Sequence, residues 1–135
     1  MEYEMTTQTR PEIIIAREDH EQLTALALRA LGRSPGANTL LEEVERAEIV
    51  PIAELPANVV GMNDTATFEY DGSHYRSFQL VYPPEADFTN GRISVLTPVG
   101  AALIGLREGQ TIWWPDHNGG VHRLTLIEVQ PARVH

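Results

Sequence analysis

His117 and His122, with Asp116 beside the first, are the residues of this chain whose types most directly suggest metal chemistry. A zinc site needs three or four converging ligands, and two histidines on one helix face would stand four apart. Here they flank Asn118-Gly119-Gly120, a hairpin-turn sequence, and no third ligand is identifiable. They read as exposed turn residues, and no metal is assigned. Glu85 and Asp87 are a candidate acid pair, but general acid–base work requires a carboxyl whose pKa is raised by burial or by a like charge. Both lie in the loop Pro83-Pro84-Glu85-Ala86-Asp87-Phe88 with no visible partner, which reads as solvated. No catalytic residue and no cofactor is assigned.

Two absences narrow the chemistry further. The chain has no cysteine, which excludes disulfides, thiolate metal sites and cysteine nucleophiles. All ten basic residues are arginines, which excludes Schiff-base lysines and a phosphate-loop lysine. The net charge of −9 disfavours non-specific contact with phosphate backbones, so direct DNA contact is expected to be weak or absent. Trp113 and Trp114 are adjacent and point to opposite faces of a strand, one to the core and the other toward a surface or partner.

The elements that hold these residues follow from pattern. The 135 residues, 42% of them apolar, suffice for one real core, and no apolar run approaches membrane-spanning length. The N-terminus shows no basic segment followed by an apolar one, so the cytoplasm is the expected location. Residues 17–31 are helical in pattern, with Leu23, Leu26, Ala27, Ala30 and Leu31 on one face. After Gly32–Asn38, Thr39 and Glu42 form a capping box that predicts a second helix to about Ile49. Its inward face is Leu40, Leu41, Val44 and Ala47, with Glu42, Glu43, Glu45 and Glu48 toward water. The two helices form a short antiparallel hairpin over residues 13–49, with arms of about 22 and 17 Å.

From about Pro56 to residue 130 the chain reads as β. Short strands are predicted at 58–62, 65–70, 75–82, 93–96, 110–114 and 121–129. The fold class is therefore α+β: a helical hairpin, then a mostly antiparallel sheet wrapping one helix. That helix is the second half of Ile93-Ser94-Val95-Leu96-Thr97-Pro98-Val99-Gly100-Ala101-Ala102-Leu103-Ile104-Gly105-Leu106, whose first four residues read as a strand. Thr97 can cap it, Pro98 suits its first position, and Gly105 can close it in a left-handed conformation.

This stretch resembles the C-terminal signature of the Gre transcription elongation factors: Ile-Ser, two apolar residues, Ser/Thr-Pro, apolar, Gly, any residue, Ala, two apolar residues, Gly. Met62-Asn63, Leu80-Val81-Tyr82-Pro83 and the run Pro98 to Leu106 resemble the Rnk-like branch of that superfamily. The resemblance covers roughly Ile13 to Val129. It implies an N-terminal coiled coil, an FKBP-like β domain, and binding to RNA polymerase at the rim of its secondary channel. The contact would lie at Thr97, Pro98, Val99, Gly100 and Ala101. Gre factors commonly carry Arg or Lys where Ala101 stands, and their hairpin tip carries acidic residues into the polymerase active site. Here the tip loop contains Arg33 and no carboxylate, and the arms are short. The expected activity is thus competition with Gre factors for the channel without stimulation of transcript cleavage. The acidic face of the second helix is either solvated or a dock for basic polymerase residues. Two other functions stay open: prolyl isomerisation, for which Phe68, Tyr70, Tyr75, Phe78, Tyr82 and Phe88 would have to converge on a pocket, and direct binding of nucleoside diphosphate kinase.

Overall fold

Periodic apolar residues in the N-terminal third form two helices, α1 (Arg17–Ala30) and α2 (Ala37–Arg46), in the computed structural model, which describes residues 10–115 and 119–132. In α1 the buried positions are Leu23, Ala27 and Ala30, on one face. Glu18 and Asp19 occupy its first turn and Arg29 its last, as the helix dipole favours. Leu31, expected on the same face, lies beyond the helix end and is exposed.

The second helix departs from expectation at both ends. It starts at Ala37, two residues before the predicted cap, because the Gly36 N–H is held by the Leu96 carbonyl at 2.9 Å while the Gly36 carbonyl accepts from Leu40. A tertiary hydrogen bond sets this start, so the Thr39–Glu42 capping box does not form, and Glu42 pairs with Arg10 instead. The helix stops at Arg46. Beyond it β2 (Glu48–Val50) runs parallel to β1 (Ile14–Ala16), with Ile14 opposite Glu48. Glu43, expected to face water, is 0% exposed between Arg10 (2.8 Å) and Arg46 (2.6 Å). An uncompensated buried carboxylate would cost several kcal/mol, so the two guanidiniums are what make this position tenable.

The C-terminal part is a five-stranded sheet of β3 (Thr65–Tyr70), β4 (His74–Val81), β5 (Arg92–Ser94), β6 (Thr111–Pro115) and β7 (Val121–Gln130), in the order β5-β4-β3-β7-β6. Every pairing is antiparallel except β4 with β5. Alternation buries Ala66 and Phe68 on one face of β3. On β7 it buries Leu124 and Leu126, then shifts to Val129. The shift is a bulge: Thr67 pairs with Glu128 and Phe68 with Leu126, leaving Ile127 unpaired and exposed. The strand predicted at 58–62 does not form. Val59 makes a single bridge to Arg107, and the buried Asp64 carboxylate takes the Gly61 N–H (2.8 Å), folding 61–64 into a turn with Asn63 left-handed.

The helix α3 (Pro98–Leu103) lies between these parts. Leu23, Ala27, Leu40 and Val44 of the hairpin share one buried cluster with Ala101, Leu103, Leu80 and Leu126. At one end of α3 the Ile14 N–H donates to Gly105 (3.2 Å), and at the other Gly36 donates to Leu96. The hairpin is therefore laid along α3 and tied at both ends. Among the described residues no helix is long and apolar enough to cross a membrane.

Candidate partner-docking site

The turn from β5 into α3 is built by short polar side chains that satisfy its main chain. Ser94 Oγ accepts from the Leu96 N–H (3.0 Å), and Thr97 Oγ1 donates to the Ser94 carbonyl (2.7 Å) while accepting from the Gly100 N–H (3.0 Å). Thr97 is thus the helix cap read from sequence, with Pro98 at the first helical position. Gly105 closes the helix at φ +80°, where a side chain would be strained. A Cβ on Gly100 would overlap the Ser94 carbonyl oxygen, so that glycine permits the close packing of turn on strand.

Of the five predicted contact residues, Thr97, Pro98 and Val99 are half-buried and accessible, whereas Gly100 and Ala101 are buried. Gly100 and Ala101 support the turn from beneath. The surface it offers is a crest of Leu96, Thr97, Pro98 and Val99.

Beside this crest opens a cleft of about 320 Å³, large enough for one side chain or a small ligand. Phe68, Tyr70 and Phe78 come from the sheet, Thr97 and Val99 from the turn, and Phe88 from the loop before β5. Phe68 stacks on Phe78 with centroids 6.4 Å apart, and Phe78 meets Phe88 at 5.2 Å. Four of the six aromatics noted in the sequence therefore converge. Tyr75 points outward, and Tyr82 is bonded through its hydroxyl to Asp19 (3.3 Å). Burial, with the nearby Asp19 carboxylate, raises the Tyr82 pKa well above its ordinary value. Arg76, which sequence reasoning passed over, also lines the cleft. The two-residue spacings Phe68/Tyr70 and Arg76/Phe78 put each pair on one face of its strand. Only the register Phe68 opposite Arg76 brings the pairs together.

The remaining candidates fall elsewhere. Trp114 is buried against Tyr70 and His122, while Trp113 lies on the other face under the Arg123 guanidinium at 5.6 Å. Asp116 and His117 lie outside the described residues. His122 Nδ1 is 3.1 Å from Asp71 and 3.2 Å from the Tyr70 hydroxyl. The Asp71 pKa is lowered chiefly by the Arg123 N–H it accepts (2.9 Å), with His122 contributing. Asp87 pairs with Arg92 at 3.5 Å. Tip residue Arg33 is exposed.

Residues 55–131 match the family model described as transcription elongation factor, GreA/GreB, C-term, and residues 11–50 match the one described as Rnk N-terminus. A protein of Escherichia coli (strain K12) named regulator of nucleoside diphosphate kinase is 36% identical over 124 residues, 90% of this chain and 91% of that one. The transcription elongation factor GreA of Bartonella henselae is 33% identical over 94 residues, 69% of this chain and 59% of its own length. Among solved structures, a prokaryotic transcription elongation factor GreA/GreB from Nitrosomonas europaea superposes with a TM-score of 0.69 at 40% identity, covering 90% of this chain and 100% of that chain.

Proposed function

This chain belongs to the GreA/GreB transcription elongation factor family, in its Rnk branch, and on that premise we propose that it binds RNA polymerase at the rim of the secondary channel. It acts there by occupancy, in the cytoplasm, competing with Gre factors without stimulating transcript cleavage and without an enzymatic step of its own. Contact is made by the crest Thr97, Pro98 and Val99, with Gly100 and Ala101 holding its shape. The observation that carries the absence of cleavage is the tie between Gly36 and Leu96. It keeps the hairpin tip against the β domain, where a tip bearing Arg33 and no carboxylate has neither the reach nor the ligands to assist a catalytic metal.

The test is competition with a Gre factor for purified core polymerase, together with a cleavage assay on backtracked complexes. Wild type is expected to displace the Gre factor and add no cleavage. A Pro98→Ala, Val99→Glu variant, checked for intact folding, should compete at least tenfold less well. Absence of competition by wild type, or Gre-like cleavage, overturns the reading. A second reading is favoured by one observation, the convergence of Phe68, Tyr70, Phe78 and Phe88 on a single cleft, as an FKBP-like prolyl isomerase would need. Turnover of a proline-peptide substrate that is lost in Phe88→Ala would support it. The effect on nucleoside diphosphate kinase named for the Escherichia coli relative is taken here as indirect, through transcription. A stable complex with the kinase and none with polymerase would reverse that order.

A further inference from the structure

Among the described residues the sheet is open along part of β4. β5 pairs with β4 only at Gln79, Leu80 and Val81, whereas β3 pairs with β4 from His74 to Gln79. Residues 74–78 therefore have, among the described residues, a strand on one side alone. The Gln79 N–H donates to Gly91 at 2.8 Å, away from β3. Main-chain groups two residues apart in a strand point the same way, so those of Ser77 and Tyr75 also face the open side. The Thr67 and Ser77 hydroxyls are 3.1 Å apart, consistent with a pair whose main-chain bonds point outward. The Tyr75 carbonyl is taken by its neighbour Arg76 (3.0 Å), and among the described residues the Ser77 main chain has no partner on that side. Such an edge is a template for another strand.

The aromatic cleft lies beside this edge, on the face to which Arg76 and Phe78 point. Phe88 borders it at 74% exposure, the highest among the large apolar side chains of the described residues, and so extends the apolar cleft to the surface. Arg76 supplies the charge. Arg10, Arg46 and Arg92 are each paired with a carboxylate, but among the described residues Arg76 meets none, in a chain of net charge −9. An unneutralised guanidinium at the mouth of an apolar cleft complements a ligand that is apolar at one point and anionic at the next.

We propose that the edge and the cleft together bind an extended peptide segment of a partner protein. The segment adds as a strand beside β4 at Ser77, inserts a bulky apolar side chain among Phe68, Phe78 and Phe88, and sets a carboxylate two residues away on Arg76. Side chains two apart share a face of a strand, which is why the acid stands at that spacing. The inference does not rest on polymerase docking by the crest, although Thr97 and Val99 belong to both surfaces.

The test uses the full chain alone. Its probe is the blocked heptapeptide Thr-Asp-Thr-Phe-Thr-Asp-Thr, symmetric so that either strand direction is served, titrated to several millimolar while amide shifts are followed by NMR. Shifts should concentrate at Ser77, Phe78, Phe88 and Val99. Affinity should fall at least tenfold when Ala replaces the central Phe, and at least tenfold when Lys replaces both acids. One of two probes N-methylated at alternate positions should also lose binding, since a strand uses alternate N–H groups. Arg76→Glu, an exposed change that leaves the core intact, should reverse the preference between acidic and basic probes. No shifts with the acidic probe, equal affinity across all probes, or an unchanged preference in Arg76→Glu would each overturn the proposal. These outcomes are read without polymerase and leave the docking experiment independent.

Discussion

Replacing Gly36 with alanine tests the least expected feature of the fold, the docking of the hairpin tip on the signature turn. A Cβ at this position would overlap the Leu96 carbonyl oxygen and the Thr97 main chain, which are backbone atoms and cannot swing aside as a flexible side chain would. Gly36 sits at φ −95°, so the substitution brings no left-handed strain and the whole effect is steric. Overpacking of this kind costs about 1–3 kcal/mol. Separating the loops also breaks the buried Gly36–Leu96 hydrogen bond, worth about 1 kcal/mol net and more if a group is left unsatisfied. The expected loss is about 3 kcal/mol, which for a chain of this size lowers Tm by about 10 °C. Urea unfolding followed by circular dichroism reads the loss directly, with an unchanged m-value showing that the unfolded state is unaffected. Arg33→Ala in the same loop is exposed and should stay within about 0.5 kcal/mol of wild type. A Gly36→Ala protein as stable as wild type would refute the docked tip, and with it the structural reason for expecting no cleavage.

Glu43→Ala should cost about 3 kcal/mol, at the low end for breaking a buried ion pair because Arg10 and Arg46 are partly exposed and can hydrate. A urea-derived loss under 1 kcal/mol would mean that the carboxylate is not the centre of that cluster. The lowered Asp71 pKa implies stability that is complete above its unfolded value of about 3.8 and lost as pH falls through the native value. Asp71→Asn keeps a residue tolerant of the left-handed backbone here (φ +53°), so its Tm should fall less than wild type's between pH 6 and pH 3. Parallel acid profiles for the two proteins would remove Asp71 from the acid response.

Much of the signature turn is legible in the sequence because its determinants are local. Thr97, Pro98 and Gly105 each answer a requirement set within three or four residues: a cap for free N–H groups, a fixed φ at the first helical position, a left-handed exit. Alternation likewise marked β3, and helical spacing marked α1. Glu43 was misread for a physical reason. On a helix flanked by Glu42 and Glu45, nothing local distinguishes the carboxylate that meets two arginines from those that meet water. The same holds at the start of α2, where Thr39 and Glu42 satisfy the local rule for a cap but the Leu96 carbonyl reaches Gly36 first.

The sequence by itself determined the first helix and the longer strands of the sheet, the family to which the signature turn belongs, and the exclusion of cysteine and lysine chemistry; it did not determine the small parallel pair Ile14–Ala16 with Glu48–Val50. The features it did determine depend on side-chain type and on periodicities of 2 and 3.6 residues, both carried by neighbours in the chain. Tertiary structure alone decided that the hairpin lies along α3, that Ala101 is buried while Pro98 is accessible, that four aromatics and Arg76 share one cleft, and that among the described residues β4 keeps an open edge. Each of these depends on distances between residues far apart in sequence. Such distances are set by how one common core closes, and no local pattern encodes that closure.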